Sequence, residues 1–355
     1  MRILYGVVGE GMGHATRSKV VIQHLIENRH NVRIVVSGRA FTFLRKHFPD
    51  VVEIRGLTMA YDDGAMDRDV SVLKNMLRSP AMLVGNAAAY FERVADFDPQ
   101  LVISDFDSFA YLYAKAHGTP VISIDNQQVI HRCEHDEEIR KGVDFDFLST
   151  KAFIKTKLPG CDHYLITSFF FPEVRAKYAH NTTLVPPILR PEIIGAIPSR
   201  GDHVLVYQTS LSDNTLIPGL NKLSDHKFVV YGLRRDAVEG NCVLKDFSEQ
   251  GFIQDLSSAR AVVTNGGLSL IHEAIYLRKP IFSVPIRHQF EQEMNARYLE
   301  KLGYGLGATK IEPDALSWFL KQEDRYYEAL GGHQQDGNRK LFERLDEVVG
   351  RLAPK

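Results

Sequence analysis

The sequence is poor in cysteine and has no long apolar run, and each absence excludes a class of protein. Its three cysteines, Cys133, Cys161 and Cys242, are far apart and form no Cys-x-x-Cys pair, so neither a disulfide framework nor a zinc knuckle is encoded. No stretch approaches the roughly 18 apolar residues of a membrane span. The first apolar run, residues 3–8, is too short for the core of a signal peptide. The sequence therefore predicts a cytoplasmic globular protein with reduced thiols.

Net charge is also nearly absent. Lys and Arg number 43 against 44 Asp and Glu, which gives a formal net charge of −1, so no global field recruits nucleic acid or an anionic membrane. Hydrophobic residues are 44 % and charged residues 25 % of the chain, a composition typical of folded rather than disordered proteins. A chain of 355 residues is long enough to form two domains of ordinary size. We expect no nucleic-acid partner.

The first 130 residues alternate between apolar runs and amphipathic stretches, as βαβ units do. A strand over residues 3–8 is followed by a glycine-rich turn, a helix and a second strand over residues 32–36. Two later runs, Leu101–Asp105 and residues 120–125, each end in a polar residue, as parallel strands do where they leave a doubly wound sheet. The helix between these runs is predicted to end at Gly118.

A passage with prolines at 186, 187, 191 and 198 then interrupts the pattern, and its stiff composition suits a connection between domains. Beyond it the pattern of strands that end in polar loops resumes at His203–Tyr207, Lys227–Tyr231, Ala261–Thr264 and residues 280–285. We therefore predict an α/β fold with two Rossmann-like, doubly wound parallel sheets, over residues 1–187 and 188–335. Residues 336–355 form an amphipathic helix that could pack on either domain, including back on the first.

The stretch from 261 to 274 contains several candidate ligand-binding residues close together. A buried strand gives way to Gly266 and Gly267, which open a helix. Glycines let the backbone approach a ligand, and the free N–H groups at the positive end of a helix favour a phosphate. Ser269 and Glu273 share one helix face, so the hydroxyl would lie near phosphates while the carboxylate suits the paired hydroxyls of a ribose. A capped helix with a solvated Glu273 is the alternative.

A second stretch, residues 285–296, follows another strand and places Glu291 and Gln292 at a helix start. Adjacent acidic and amide side chains offer acceptors and donors fit for the hydroxyls of a sugar. Together, residues 265–292 resemble the donor-binding signature of nucleotide-sugar glycosyltransferases with the GT-B fold. Two branches are similar: the UDP-glucuronosyl and plant-type UDP-glycosyltransferases, and the peptidoglycan N-acetylglucosaminyltransferase that forms lipid II. The resemblance implies two Rossmann-like domains that face a cleft.

The resemblance also implies roles for individual residues. It implies that the diphosphate is held by Gly266, Gly267 and Ser269, the ribose by Glu273, and the transferred sugar by Glu291, Gln292 and His288. Asn265 stands where the plant-type branch has a phosphate-contacting histidine, and an amide can still donate. Thr209 and Ser210 stand where relatives have a glycine-containing loop, so their hydroxyls would have to replace it. Phe252 and Ile253 lie in a segment that resembles the loop whose backbone reads the uracil edge, although it could equally be a connector.

The N-terminal glycine-rich loop, residues 9–14, lacks the G-x-G-x-x-G fingerprint of a dinucleotide site, and no acid follows the next strand at Val36. Gly-His opening the first helix instead resembles the plant-type branch, in which that histidine is the general base and the preceding glycines, here Gly11 and Gly13, form an acceptor-side loop. The resemblance thus implies that His14 removes a proton from an acceptor hydroxyl, with inversion at the anomeric carbon. A loop histidine bonded to backbone is the alternative.

A general-base histidine is helped by a carboxylate that fixes its tautomer and stabilises the imidazolium. Asp105, at the end of a predicted parallel strand, is the first candidate, and Asp107 and Asp125 follow it. A helix N-cap is the alternative role for Asp105.

Two further segments carry weaker signals. Residues 131–136, His-Arg-Cys-Glu-His-Asp, place three metal-capable side chains at alternate positions, but a solvated or acceptor-facing loop is favoured over a metal site. Residues 70–90 mix Lys74 and Arg78 with apolar side chains, which fits either a core-facing helix or a peripheral patch on the inner membrane face.

The predicted function is that of a metal-independent, inverting glycosyltransferase with no cofactor. The donor is a nucleotide sugar, favoured as a UDP-sugar such as UDP-N-acetylglucosamine. The acceptor carries a hydroxyl and is not identified: a lipid-linked molecule, a small molecule or a polymer would fit. Two alternatives stay open, a UDP-N-acetylglucosamine 2-epimerase and a non-catalytic sugar-nucleotide-binding protein.

Overall fold

The computed structural model describes residues 1–9, 12–54, 89–208, 215–287, 289–334 and 336–354, with two short stretches of backbone at 60–62 and 65–67. The chain divides into two compact units. Unit 1 contains the described residues of 1–60, 67–188 and 338–355, and unit 2 contains those of 189–337 together with those of 61–66.

Unit 1 is built on a seven-stranded sheet in which all neighbouring strands are parallel. The strands up to the end of unit 1 are β1 (Arg2–Val7), β2 (Asn31–Val36), β3 (Val51–Glu53), the separate pair β4 (Ala60–Asp62) and β5 (Ala65–Asp67), β6 (Leu101–Asp105), β7 (Val121–Asp125), β8 (His163–Thr167) and β9 (Thr182–Val185). Their order in the sheet is β3-β2-β1-β6-β7-β8-β9. The central strands are rich in Val and Ile and are buried along their length, as strands covered on both faces must be.

Helices connect the strands of unit 1 and cover its sheet. The longest of them, α1, buries Val21, Ile22 and Leu25 against the core, which fits the one-face spacing of these residues. Helix α3 ends at Gly118, which takes a left-handed conformation at φ +64°, as the sequence predicts. The helices are α1 (Met12–Glu27), α2 (Gly38–Arg45), α3 (Ser108–His117), α4 (Gln128–Arg132), α5 (Glu137–Arg140) and α6 (Asp144–Lys157).

Unit 2 repeats this architecture with a second seven-stranded sheet, in the order β12-β13-β11-β10-β14-β15-β16. Only its edge strand β12 is antiparallel to its neighbour. The strands are β10 (His203–Tyr207), β11 (Lys227–Tyr231), β12 (Ala237–Glu239), β13 (Cys242–Lys245), β14 (Ala261–Thr264), β15 (Ile281–Ser283) and β16 (Gly305–Gly307). The helices are α7 (Pro191–Ile194), α8 (Leu216–Asn221), α9 (Glu249–Ser258), α10 (Leu268–Tyr276), α11 (Phe290–Lys301), α12 (Pro313–Lys321) and α13 (Glu323–Gly331).

The C-terminal helix, α14 (Arg339–Leu352), belongs to unit 1. Its apolar stripe of Leu341, Leu345, Val348 and Val349 is buried in the core of that unit. On its rim the ring of Phe342 stacks on the imidazole of His24, with 3.9 Å between the ring centroids.

The α/β architecture with two doubly wound parallel sheets is confirmed, and each strand predicted from an apolar run is present to within two residues at either end. No helix in the described part of the chain is both long and apolar enough to cross a membrane. Several predicted features lie outside the described residues: Gly11, Thr209, Ser210, His288 and the larger part of the 70–90 segment.

Candidate functional site

Each sheet changes its direction of winding at one place, beside its first strand. In unit 1 that strand, β1, lies between β2 and β6, and in unit 2 the strand β10 lies between β11 and β14. Ligands of open α/β sheets bind outside the carboxyl ends of the strands at such a switch point. His14 follows β1 and Asp105 ends β6, while Asn265 follows β14. Both groups of predicted residues therefore lie at the switch point of their own sheet.

In unit 1 the structure joins His14 to the carboxylate predicted to orient it. The imidazole Nδ1 of His14, in the first turn of α1, lies 2.8 Å from Oδ1 of Asp105. The register of the sheet makes this contact possible, because Asp105 pairs with Val7, the last residue of β1. Asp105 is fully buried. A carboxylate at Nδ1 leaves Nε2 as the ring nitrogen that can accept a proton.

Two residues that the sequence analysis missed complete this cluster. Arg17 donates from Nε to Oδ2 of Asp105 at 2.9 Å and from Nη2 to Oδ1 at 2.5 Å, and the hydroxyl of Ser18 donates to Oδ2 at 2.8 Å. Burial alone would raise the pKa of Asp105, but the Arg17 guanidinium and the His14 imidazole hold it well below its usual range. The spacing of residues 14, 17 and 18 on one helix face was the signal that could have revealed the cluster.

The two other candidate carboxylates, Asp107 and Asp125, lie near Asp105 but serve the backbone. Asp107 caps α3 by accepting a hydrogen bond from the N–H of Ala110 at 2.8 Å. Asp125 accepts from the N–H of Gln128 at 2.9 Å. Burial raises the pKa of each carboxyl to about 6. The helix-cap role considered for Asp105 therefore belongs to Asp107.

In unit 2 the loop after β14 has the geometry of an anion cradle. Gly266 has φ +86°, and a Cβ there would lie 3.0 Å from Oγ of Ser283 and 3.1 Å from the carbonyl oxygen of Gln292, so only glycine fits. Gly267 is the N-cap of α10 and, as a glycine, it makes no side-chain cap hydrogen bond. The first N–H groups of α10, which include that of Ser269, have no partner within the helix and point towards a position that suits an anion.

Amide side chains fix the shape of this loop. Asn265 donates from Nδ2 to Oε1 of Gln208 at 2.8 Å, which links the ends of β14 and β10. Asn295 of α11 donates to the carbonyl oxygen of Gly266 at 3.1 Å. Both Glu291 and Gln292 lie in the first turn of α11, and Oε1 of Gln292 accepts a hydrogen bond from the N–H of Ile286 at 3.0 Å. Of the predicted diphosphate and sugar residues that the structure describes, Asn265, Gly266, Gly267 and Gln292 therefore lie in or against one loop.

The predicted ribose ligand Glu273 has a partner that the sequence did not reveal. Arg190 binds both carboxylate oxygens of Glu273, with Nε at 2.7 Å and Nη2 at 2.8 Å, and donates from Nη1 to Glu249 at 2.9 Å. Glu273 is 7 % exposed, so it is not the solvated residue of the alternative interpretation. Two carboxylate lone pairs are used by Arg190, and two remain for further hydrogen bonds.

The base-reading segment differs from its prediction as a loop. Residues 251–256 lie inside α9, a helix capped by the side chain of Ser248, and the N–H of Phe252 is bonded to the carbonyl oxygen of Ser248 at 2.8 Å. The Phe252 ring is buried and packs edge-on to Tyr207 and Tyr231, with centroids 5.6 and 5.1 Å away. Ile253 is half-buried on the same helix. The loop prediction is wrong because Phe252 and Leu256, four residues apart, form the buried face of a helix that Ser248 caps.

Residues 131–136 are not a fully solvated loop, because all of them except Glu134 and Asp136 are buried. His131 lies in the last turn of α4 and its Nε2 lies 2.8 Å from the hydroxyl of Tyr178, while Nε2 of His135 lies 3.0 Å from the carbonyl oxygen of Val129. Cys133 is buried and its backbone forms a bridge with Val174. Throughout the described ranges, no three His, Cys, Asp or Glu side chains gather closely enough to hold a metal ion.

Comparisons with known proteins agree with this architecture. The sequence profile of glycosyl transferase family 1 matches residues 1–323. An uncharacterized glycosyltransferase of Methanosarcina acetivorans is 25 % identical over 99 % of this chain and 100 % of its own length. Among solved structures, the glycotransferase of kitacinnamycin superposes with a TM-score of 0.70 at 17 % identity. Phytolacca americana UGT2 superposes with a TM-score of 0.68 at 15 % identity, and its structure was solved with UDP-2-fluoro-glucose and pterostilbene. Each match covers 99 % of this chain and 99 % of the other. The fold is therefore the two-domain α/β fold of GT-B glycosyltransferases.

Proposed function

The chain belongs to glycosyl transferase family 1, and on that premise we propose that it transfers a sugar from a UDP-sugar to a hydroxyl group with inversion at the anomeric carbon. His14 is the general base that takes the proton of the acceptor hydroxyl. Asp105 holds the imidazole in the required tautomer and stabilises the imidazolium that forms.

The observation that carries this proposal is the contact of 2.8 Å between Nδ1 of His14 and Oδ1 of Asp105. A buried carboxylate that stays ionised is suited to stabilising positive charge on the adjacent ring. Because this pair lies at the carboxyl edge of its sheet, Nε2 is at the position where α/β proteins bind ligands. A structural histidine would have no need of a buried carboxylate that is itself held by a buried arginine.

We assign the donor to the loop after β14. The diphosphate binds the first turn of α10 at Gly266, Gly267 and Ser269, where helix N–H groups rather than a divalent ion offset its charge. The ribose hydroxyls bind the free lone pairs of Glu273, and the transferred sugar contacts Glu291. Support comes from the positive φ of Gly266 and the glycine at the N-cap of α10, and from the UDP-sugar in the Phytolacca americana structure.

Transfer is favoured over the two alternatives. A 2-epimerase acts on the donor alone, whereas the family profile and two Methanosarcina relatives are those of glycosyltransferases. A non-catalytic binder would need the loop of unit 2 but not the His14–Asp105 pair of unit 1.

The test is the release of nucleoside diphosphate from UDP-, GDP-, dTDP- and CMP-sugars, together with calorimetric binding of each nucleotide. We expect UDP to bind and at least one UDP-sugar to be cleaved, slowly by water and faster once an acceptor is found. Activity should persist in EDTA. A donor that is isomerised without cleavage, seen by proton NMR, would indicate an epimerase, and the absence of both binding and cleavage would refute the proposal.

The His14→Ala variant separates catalysis from binding. We expect it to lower the rate of UDP release about 10²- to 10⁴-fold while UDP affinity changes less than about twofold. The chain offers a matched control in His24, on the same helix α1, whose Nε2 lies 2.8 Å from Oδ1 of Asp346. His24→Ala removes a second His–Asp contact and should leave the rate unchanged. A rate in His14→Ala equal to that of His24→Ala would remove His14 from the mechanism.

A further inference from the structure

The Nδ1 atom of His14 has two competing partners. Oδ1 of Asp105 and Nη2 of Arg17 each lie 2.8 Å from it. A ring nitrogen of neutral imidazole either donates its proton or accepts one, so it can serve Asp105 or Arg17 but not both. Donation to Asp105 leaves a lone pair on Nε2, which is the form able to act as a base. Acceptance from Arg17 places the proton on Nε2 and disables it.

A residue at the opposite side of the ring resolves this competition. The side-chain nitrogen of Gln127, two residues beyond the end of β7, lies 3.3 Å from Nε2 of His14. An amide nitrogen only donates, so this contact is favourable only when Nε2 carries a lone pair. The preceding residue, Asn126, accepts a hydrogen bond from Nη1 of Arg17, which holds the guanidinium from the other end.

The oxygen of the same amide is the second observation. Oε1 of Gln127 is buried and has no hydrogen-bond partner among the residues that the structure describes. A buried acceptor without a partner is unfavourable and calls for an explanation. A half-turn of the amide would exchange its oxygen and nitrogen and present an acceptor to Nε2 of His14 in place of a donor.

We propose that Gln127 is a positioning residue that serves both states of His14: its N–H selects the tautomer with a free Nε2, and its oxygen accepts the Nε2–H formed in the reaction. In that step the acceptor O–H bond breaks as the Nε2–H bond forms. The oxygen bonds to the anomeric carbon, and the sugar–phosphate bond breaks to release the nucleoside diphosphate. This inference rests on the proposed function of His14.

The tautomer can be measured on the resting enzyme, without any substrate, by NMR of protein labelled with nitrogen-15 in histidine. The signals of His14 are those missing from the His14→Ala variant. In the wild type we expect the Nδ1–H tautomer. In Gln127→Met, which keeps the bulk and removes the donor, the Nε2–H tautomer should gain population because the side chain at 127 no longer favours a lone pair on Nε2, while Arg17 still competes with Asp105 for Nδ1. In Gln127→Glu, the carboxylate can only accept, so Nε2 should carry the proton.

Turnover supplies the second readout. For Gln127→Met we expect kcat for UDP release to fall about tenfold, the effect of one hydrogen bond on a rate, with the KM of the donor within about twofold. The control is Gln23→Met, at an exposed glutamine of α1 that donates to Glu27 at 2.9 Å. If Gln127→Met does not fold, Gln127→Asn withdraws the amide from Nε2 by one carbon and is expected to give the same two changes.

A wild-type enzyme with His14 in the Nε2–H tautomer would overturn the inference, as would identical tautomers in the wild type and Gln127→Met. A lowered kcat with an unchanged tautomer would also overturn it, since Gln127 would then act in some other way. Failure of the proposed function is distinguishable: the wild type would cleave no nucleotide sugar, whereas the NMR result would still decide which partner holds His14.

Discussion

At the scale of single residues, each unit contains one buried carboxylate held by one buried arginine. Asp105 is bound by Arg17 in unit 1, and Glu273 is bound by Arg190 in unit 2. A buried ion pair is often no more stabilising than apolar side chains of the same volume. Each pair includes a residue to which the proposed function assigns a role, Asp105 in catalysis and Glu273 in donor binding, so their presence is better explained by function than by stability.

The first prediction concerns the charge of Asp105. In Asp105→Asn the side chain keeps its shape, but its NH₂ group cannot accept from Arg17, Ser18 or His14. We expect kcat for UDP release to fall about 10²- to 10⁴-fold, while UDP affinity, which the proposed function assigns to unit 2, stays within about twofold. Steady-state kinetics and calorimetry measure the two quantities, and circular dichroism shows whether the variant is folded.

Asp107→Asn is the matched control for Asp105→Asn. Asp107 is buried two residues away and caps α3. Because asparagine caps a helix about as well as aspartate, its replacement should leave both stability and kcat nearly unchanged. Equal losses of kcat in the two variants would show that the site tolerates no change in this loop, and that the charge on Asp105 has no special role.

The second prediction concerns Arg190. The Arg190→Met variant leaves the carboxylate of Glu273 buried without its cation, and breaking a buried pair from one side costs about 3–5 kcal/mol. We expect a loss of stability of that order in denaturant unfolding, and weaker binding of UDP because Glu273 loses the partner that orients it.

The Arg190→Met/Glu273→Gln double variant tests the origin of that loss. If an unpaired charge destabilises Arg190→Met, removing the charge of Glu273 as well should restore part of the stability, so the effects will not add. Strictly additive losses would contradict the pairing as the source. The exposed pair of Lys227 and Asp202 is a suitable reference, since exposed ion pairs contribute at most about 1 kcal/mol.

At the scale of elements, the C-terminal helix α14 is tied to the sheet of unit 1 by polar contacts as well as by its apolar stripe. Nδ1 of His163, a buried residue of β8, lies 2.9 Å from Nη2 of Arg351 and accepts from it. The ring must then carry its proton on Nε2, which lies 3.0 Å from the hydroxyl oxygen of Thr183. Arg344 of α14 also donates to that oxygen, at 3.0 Å. Neutral His163 is therefore required for this set of contacts.

The third prediction is a dependence of stability on pH. Burial and the nearby Arg351 lower the pKa of His163 to about 4, below the unfolded value of about 6.5. Between these values the unfolded chain binds the extra proton, so stability falls as pH decreases from about 6.5 towards 4, by at most about 1.4 kcal/mol per pH unit for this group. Denaturant midpoints measured at pH 7, 6 and 5 should decrease less in His163→Gln than in the wild type.

Other groups titrate in the same range, so the contribution of His163 is obtained from the difference between the pH profiles of the wild type and His163→Gln. The pKa values of His131 and His135 are also lowered to about 4, while burial raises those of Asp107 and Asp125 to about 6. These contributions are common to the wild type and to His163→Gln. The control is His180→Gln, which changes an exposed histidine. Identical pH profiles for the wild type, His163→Gln and His180→Gln would contradict the role given to His163.

At the scale of the whole molecule, the sequence predicts the repeated α/β architecture well because hydrophobic periodicity and glycine stops are local signals. Strands such as Lys227–Tyr231 and Ala261–Thr264 have the bounds that their apolar runs indicate. The contact of His14 with Asp105 also follows, since Asp105 ends β6 and His14 opens the helix that follows the neighbouring parallel strand β1.

Other features could not be predicted because they depend on packing between distant segments. Arg17 and Asp105 are 88 residues apart in the sequence, and Arg190 and Glu273 are 83 residues apart. Neither pair has a local pattern that fixes which carboxylate the arginine binds. The 251–256 segment shows the opposite error: its apolar alternation was compatible with a loop, and the Ser248 cap together with the packing of Phe252 made it a helix.

Two separate hydrophobic cores, one for each sheet, lead to the last prediction. Because UDP is assigned to the loop after β14, hydrogen exchange with saturating UDP should slow most in residues 265–270, where helix N–H groups bind the diphosphate. The His14→Ala variant should show the same protection, since the proposed function has His14 act on the acceptor and not on the nucleotide. Protection that is strongest around β1 and β6, or that disappears in His14→Ala, would reverse the assignment and place the nucleotide on unit 1. The comparison thus tests whether donor binding and proton removal belong to different units, independently of any acceptor.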